Sequence, residues 1–304
     1  MLVFISCQVF RVIEPVWLHV TTGYWGSATY IGTGFSDRLA GSPYDDVNPN
    51  GLAFIIVFIL PLMHFATKNA GLRWKVLYYL LMPLFIYAMI LTQSRSGLIG
   101  LIVVTLGILR SIKWKIPVLI AITLCAVVIW GSLDQVHKER YLSINIFNRN
   151  VIGHESAEGR IQGWKWGFEV FLDRPLFGHG LGTSAEAGWN IAGHGQIAHN
   201  MYIEILQELG IIGFGVFVLF VKRLFESLIA IKKVSCESPG SKFFTNLISA
   251  FEIQGILLIV FSFASYGLST YIWYLLSGCS AALLKLYGES RRPIMRRNYA
   301  AQHH

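Results

Sequence analysis

Arg95, Arg160 and His199 are the side chains whose type and setting point to chemistry. Arg95 lies in LTQSRSGLIG, between two apolar runs that leave almost no connecting loop. An arginine at the centre of a membrane helix costs roughly 2.5–3.5 kcal/mol on insertion scales, and less near an interface, where the side chain can snorkel. An interfacial anchor explains it, and so does a cation aimed at an anionic headgroup. Arg160, in AEGRIQGWKWG, reads either as a solvated partner of Glu155 or Glu158 or as a second cation at the same surface. A planar guanidinium suits phosphate because its fork donates two parallel hydrogen bonds. His199, in IAHNMYIEILQELG, is either a histidine at the start of a helix or a general base (or neutral donor) poised near physiological pH. Asn200 next to it is a candidate helix cap. Tyr202, Glu204 and Glu208 follow in the same apolar segment, where carboxylates are usually paired or functional.

Weaker signals surround these. Pro175–Thr183 (PLFGHGLGT) lacks the spacing and the strand–turn–helix setting of a dinucleotide loop and reads as a tight turn where backbone approaches something closely. His137, His154, His179, His194 and His199 share one loop but have no ligand spacing with a partner carboxylate, so no metal is expected. Asp45, Asp46, Asn48 and Asn50 look partly like a helix cap and partly like a polar wall. Cys7, Cys125, Cys236 and Cys279 fit no metal or redox motif.

The elements that must position these residues are membrane helices. The chain of 304 residues is 54% hydrophobic with a mean hydropathy of +0.53 and only 14% charged residues, against about 25% in soluble domains. Lipid is therefore the expected solvent. The net charge of +8 reflects the placement of basic residues, with no nucleic acid implied. A span needs about 20 apolar residues, and helix is the way such runs satisfy their backbone in lipid. Residues 1–50 hold the tail of a span at Met1–Phe10 and a polar segment. Residues 51–133 hold four spans, Gly51–Thr67, Trp74–Thr92, Ser96–Leu109 and Ile116–Leu133. Residues 134–200 form a long loop whose Arg160–Phe171 reads as an amphipathic surface helix, ended by Asp173, Arg174 and Pro175. Residues 201–287 hold three spans, Met201–Val221 and a pair between Phe244 and Tyr287 dividing near Ser265–Gly267. Residues 288–304 are a basic tail.

Most of the 25 lysines and arginines fall on alternating connections: Lys68, Arg73 and Lys75; Arg110, Lys113 and Lys115; Lys222 through Lys242; and the C-terminal cluster. The positive-inside rule makes that side, with the C-terminus, cytoplasmic. Arg95, Arg160 and His199 then fall at span ends on the other side.

In order, the motifs Ser94-Arg95-Ser96-Gly97, Gly159-Arg160, Pro175 through Gly182, and His199-Asn200-Met201-Tyr202 through Gly213 resemble those of the O-antigen ligase superfamily of ligases, O-antigen and exopolysaccharide polymerases and related oligosaccharyltransferases. The resemblance covers roughly residues 40 to 215. It implies an all-α, polytopic, GT-C-like bundle in the bacterial inner membrane with a long periplasmic loop, acting at the periplasmic face on a glycan carried by undecaprenyl pyrophosphate. The acceptor would be lipid A-core, a glycan or a protein. By resemblance Arg95 and Arg160 hold the pyrophosphate and His199 acts toward the acceptor hydroxyl, with Asn50, Asn200, Tyr202 and Glu204 lining the site and no cofactor. A small-anion transporter and an envelope assembly factor are the competing readings. A transporter should carry its special residues and broken helices near the bilayer midplane.

Overall fold

The computed structural model describes residues 1–30, 35–132, 138, 154–195, 198–236, 242–264, 268 and 270–285. The protein is an all-α polytopic membrane protein. Among the described residues five helices are long and apolar enough to cross a membrane, and shorter apolar helices lie at Arg95–Leu109 and Lys115–Val128.

Helix α1 (Leu2–Thr22) runs well past Phe10, where the apolar pattern suggests an end. Arg11 and Glu14 interrupt that pattern, but the Arg11 guanidinium is held from two sides by Asp45, Nε to Oδ2 at 2.6 Å and Nη2 to Oδ1 at 2.7 Å. A paired charge no longer ends the helix. Gly23, at φ +74°, ends it instead. An antiparallel hairpin follows, β1 (Gly26–Tyr30) with β2 (Phe35–Leu39), Ser27 facing Arg38 in register. The hydropathy pattern gives no sign of it, because its strands are short and polar.

Helix α2 (Pro49–Thr67) starts where expected. Asn48 caps it by accepting from Gly51 N–H at 2.8 Å, and Pro49 occupies the first turn. It is apolar on every side, as a central helix is. It packs against α1, against α3 (Leu72–Thr92), against α4 (Arg95–Leu109) and against α9 (Lys242–Phe261). Helix α4 approaches closely through one glycine-bearing face. A Cβ on Gly97 would stand 2.6 Å from the Ala53 methyl, and one on Gly107 would stand 2.7 Å from Ile253. Lipid offers no hydrophobic drive between helices, so such close approach is what holds them. Helix α5 (Lys115–Ser132) overlies the expected span Ile116–Leu133, but its apolar stretch is shorter than the five helices long enough to cross a membrane.

Helix α6 (His154–Asp173) begins six residues before Arg160 and stops at the expected Asp173. A short α7 (Ser184–Ala192) follows. Helix α8 (Met201–Cys236) is much longer than the expected Met201–Val221 and is broken at Gly210, whose φ of +66° and ψ of −168° are not helical. Helix α9 ends at Phe261 and α10 covers residues 271–285, and the expected division at 265–267, like 134–137, 288–304 and the side chains of Glu155 and Glu158, lies outside the described residues.

Candidate functional site

The site assembles at the end of the bundle away from the basic connections. Ser94 caps α4 through its hydroxyl, which accepts from Gly97 N–H at 3.1 Å, so Arg95 becomes the first residue of the helix, half-buried. The same hydroxyl donates to Asn50 Oδ1 at 2.9 Å. One turn further along α2 the Phe54 ring packs 4.7 Å from Phe261 at the end of α9. The next residue, Ser262, accepts from Met201 N–H at 2.9 Å, which fixes the start of α8 and with it His199 and Asn200. A continuous run of contacts thus links the starts of α4, α2 and α8, which carry Arg95, Asn50 and His199, through the end of α9.

His199 sits at φ +47°, a conformation uncommon for a residue with a side chain. It is half-buried, and its imidazole pKa is pushed below the ordinary value, first by burial and then by the positive charge of Arg160. The two groups named separately from sequence are therefore electrostatic neighbours. Burial also lowers the Arg160 pKa from its high starting value, so a charged guanidinium sits partly desolvated beside a neutral imidazole. Four residues along α6, one turn away, the Trp164 indole N–H is buried with no hydrogen-bond partner among the described residues. Such a group costs about 1–3 kcal/mol unless something accepts from it.

The remaining expected site residues have structural partners. Asn200 caps α8, its Oδ1 accepting from Tyr202 and Ile203 N–H at 3.0 and 3.3 Å. The Tyr202 hydroxyl donates to the Ile259 carbonyl at 2.7 Å and its ring packs on Phe263, tying α8 to α9. Glu204 N–H bonds the Asn200 carbonyl and its side chain is half-buried. Asn50 Oδ1 accepts from Ser94 and also from Arg38 Nη2 at 3.0 Å, so it braces helix ends. His179 donates to the Val170 carbonyl at 3.0 Å and His194 stacks 3.9 Å from Trp166, each ring already having a packing role.

Arg38 escapes the sequence reading. It is buried, and its Nε donates at 2.9 Å to the Thr92 carbonyl at the end of α3, where a cation offsets the negative end of the helix. Gln93, at φ +50°, accepts from Ser36 at 3.2 Å and donates to the Asp37 carbonyl at 3.0 Å. The hairpin is thereby pinned onto the turn that carries Arg95.

The glycine run does approach backbone closely, as its composition suggests, and the backbone it meets is that of broken α8. His179 and Gly180 N–H groups donate to the Gln207 and Glu208 carbonyls, both at 2.9 Å. In return Ile211 and Ile212 N–H groups donate to the Pro175 and Leu176 carbonyls at 2.8 and 3.3 Å. The break frees these groups, and in an apolar setting they must find partners. Gly178 and Gly210 both have positive φ, and a Cβ on either would collide with the carbonyl of the segment opposite. Ser184 at the start of α7 donates to Glu208 Oε1 at 2.6 Å and adds a side-chain tie.

Residues 80–218, just under half of the chain, match the family model described as O-Antigen ligase. The match supports membership of the O-antigen ligase superfamily. It contains Arg95, Arg160, His199, Asn200, Tyr202 and Glu204, and it leaves Asn50 and Arg38 outside. No curated protein matches the chain.

Proposed function

We propose that the protein is a glycosyltransferase of the bacterial inner membrane that transfers or polymerises a glycan from undecaprenyl pyrophosphate at the periplasmic face. The reading is carried by the pairing of Arg160 with a His199 whose pKa is lowered. An imidazole kept neutral beside a fixed cation is suited to take a proton from an acceptor hydroxyl. The neighbouring guanidinium is suited to the charge that develops on a departing pyrophosphate. Arg95 adds a second cation at the start of α4, where the first-turn amides favour an anion. The unpartnered Trp164 N–H is a further donor available to the substrate. Bond making and breaking need no nucleotide fold, since the donor arrives in the lipid.

The break in α8 is the one observation that favours a small-anion transporter, because discontinuous helices line transport sites. There the freed carbonyls face the permeating species, whereas here the carbonyls of Gln207 and Glu208 accept from the 175–180 segment. This supports surface chemistry over permeation.

Deletion in the native host, followed by gel analysis of lipopolysaccharide and lipid-linked glycans, tests the proposal. Loss of long chains from lipid A-core with glycan accumulating on the carrier means a ligase, and single-repeat capping means a polymerase. Complementation with Arg95→Ala, Arg160→Ala or His199→Ala is expected to fail while each variant remains in the membrane. Full activity in all three would remove the enzyme reading, and anion flux in proteoliposomes would replace it with transport.

A further inference from the structure

At the opposite, basic end of the bundle the helices leave a crevice of about 610 Å³. Its origin is a mismatch of lengths. Helix α4 has 15 residues, about 22 Å at the helical rise, and stops at Leu109, whereas α8 continues to Cys236 beside the start of α9. The walls are apolar, among them Val103, Leu106, Phe225, Ile229 and Ile256. Leu106 and Ile229 are 56% and 50% exposed, so the walls are not closed by the protein itself. The rim is polar and carries Arg110, Ser111, Lys232, Ser249 and Glu252. Lys232 pairs with Glu252 at 2.5 Å, and the Lys68 ammonium lies 5.6 Å from the centre of the Phe65 ring, which also lines the crevice. Among the described residues, three cations therefore stand around the mouth against one carboxylate.

We propose that this crevice seats an anionic phospholipid, with an acyl chain along the α4, α8 and α9 walls and its phosphate between Arg110 and Lys232. Both halves of the site are needed for that assignment. A free phosphate would use the rim and leave the apolar walls bare. A zwitterionic lipid would fill the walls but bring its own cation against Lys68 and Arg110. Basic pockets between membrane helices on the positively charged side are suited to anionic headgroups, and long basic side chains at helix ends reach the headgroup level. The site lies at the far end from Arg95 and His199 and does not depend on the glycosyltransferase reading.

Native mass spectrometry of the full chain, released from nanodiscs containing equal phosphatidylglycerol and phosphatidylcholine of the same acyl length, tests the proposal. At least tenfold preferential retention of phosphatidylglycerol is expected. Arg110→Gln removes an exposed cation that has no ion pair among the described residues, and should lower the preference threefold or more. Lys232→Gln should do the same, and Glu252→Gln should raise it by freeing Lys232. Melting of each lipid-free variant confirms that it is folded. Equal retention of the two lipids, or an unchanged preference in Arg110→Gln, would overturn the assignment. So would displacement by millimolar inorganic phosphate, which means a free-anion site, or a lipid-free dimer abolished by Leu106→Trp, which means the crevice seats a second copy.

Discussion

At the scale of the residue, His199 combines a lowered pKa with a left-handed backbone, and the two contributions can be separated. Asparagine tolerates positive φ but cannot serve as a base. His199→Asn should therefore keep the protein folded and lower turnover by about 10²–10⁴-fold, the usual worth of general acid–base catalysis. A rate limited by a neutral imidazole rises with pH through the His199 pKa and is level above it. Because Arg160 lowers that pKa, Arg160→Gln should move the rising limb of the residual rate toward higher pH. Stability follows the same sign. The folded pKa is depressed, so the stability contribution is present above the ordinary value near 6.5 and is lost as pH falls through the folded value. Trp164→Phe, which deletes the unpartnered N–H but keeps the ring, should weaken transfer while leaving the melting temperature unchanged or raised. An activity assay and a melting curve on the same preparation check this. Sequence could single out Arg95 and Arg160 as cations away from the basic loops, but Arg11 and Arg38 satisfy the same criterion. Asp45 holds Arg11, and Thr92 with Asn50 holds Arg38, and such partners at separations of 34, 54 and 12 residues are not visible in a linear pattern.

At the scale of the element, hydropathy located α2 through α5 to within a few residues, because each has caps or basic ends that coincide with the apolar run. It could not find the break in α8. A glycine inside an apolar helix is usually tolerated, and Gly210, Gly213 and Gly215 lie in one run. What separates Gly210 is a collision with the Leu176 carbonyl that a Cβ would create. Gly210→Ala should drive α8 toward a continuous helix, expel the 175–180 segment and expose it to protease, with transfer lost and membrane insertion retained. Gly215→Ala, with open space around it, should leave both unchanged. Limited proteolysis of the two variants side by side distinguishes these outcomes. The glycines of 175–183 announced a close approach, yet their partner lies some thirty residues onward in a segment that reads as an ordinary span.

At the scale of the whole molecule, charge and chemistry occupy opposite ends. Lys68, Arg110 and Lys232 surround one end, while the electrostatically coupled Arg160 and His199, and Arg95 at the start of α4, belong to the proposed site at the other. In a cysteine-free background, Asn190→Cys, exposed on α7, should react with an impermeant thiol reagent in intact spheroplasts, and Lys113→Cys, between α4 and α5, should react only after lysis. Equal labelling of both would contradict the sidedness. The bonding of 175–180 to α8 also bears on biogenesis. The segment that closes the broken helix lies upstream of it, so on the periplasmic topology proposed above it would leave the ribosome and cross the bilayer before α8 begins to insert. A helix that entered first would expose four backbone groups to lipid with no partner within reach. On that topology, synthesis in this order would give the nascent span a waiting template, with the loop serving as an intramolecular chaperone for the helix that follows it.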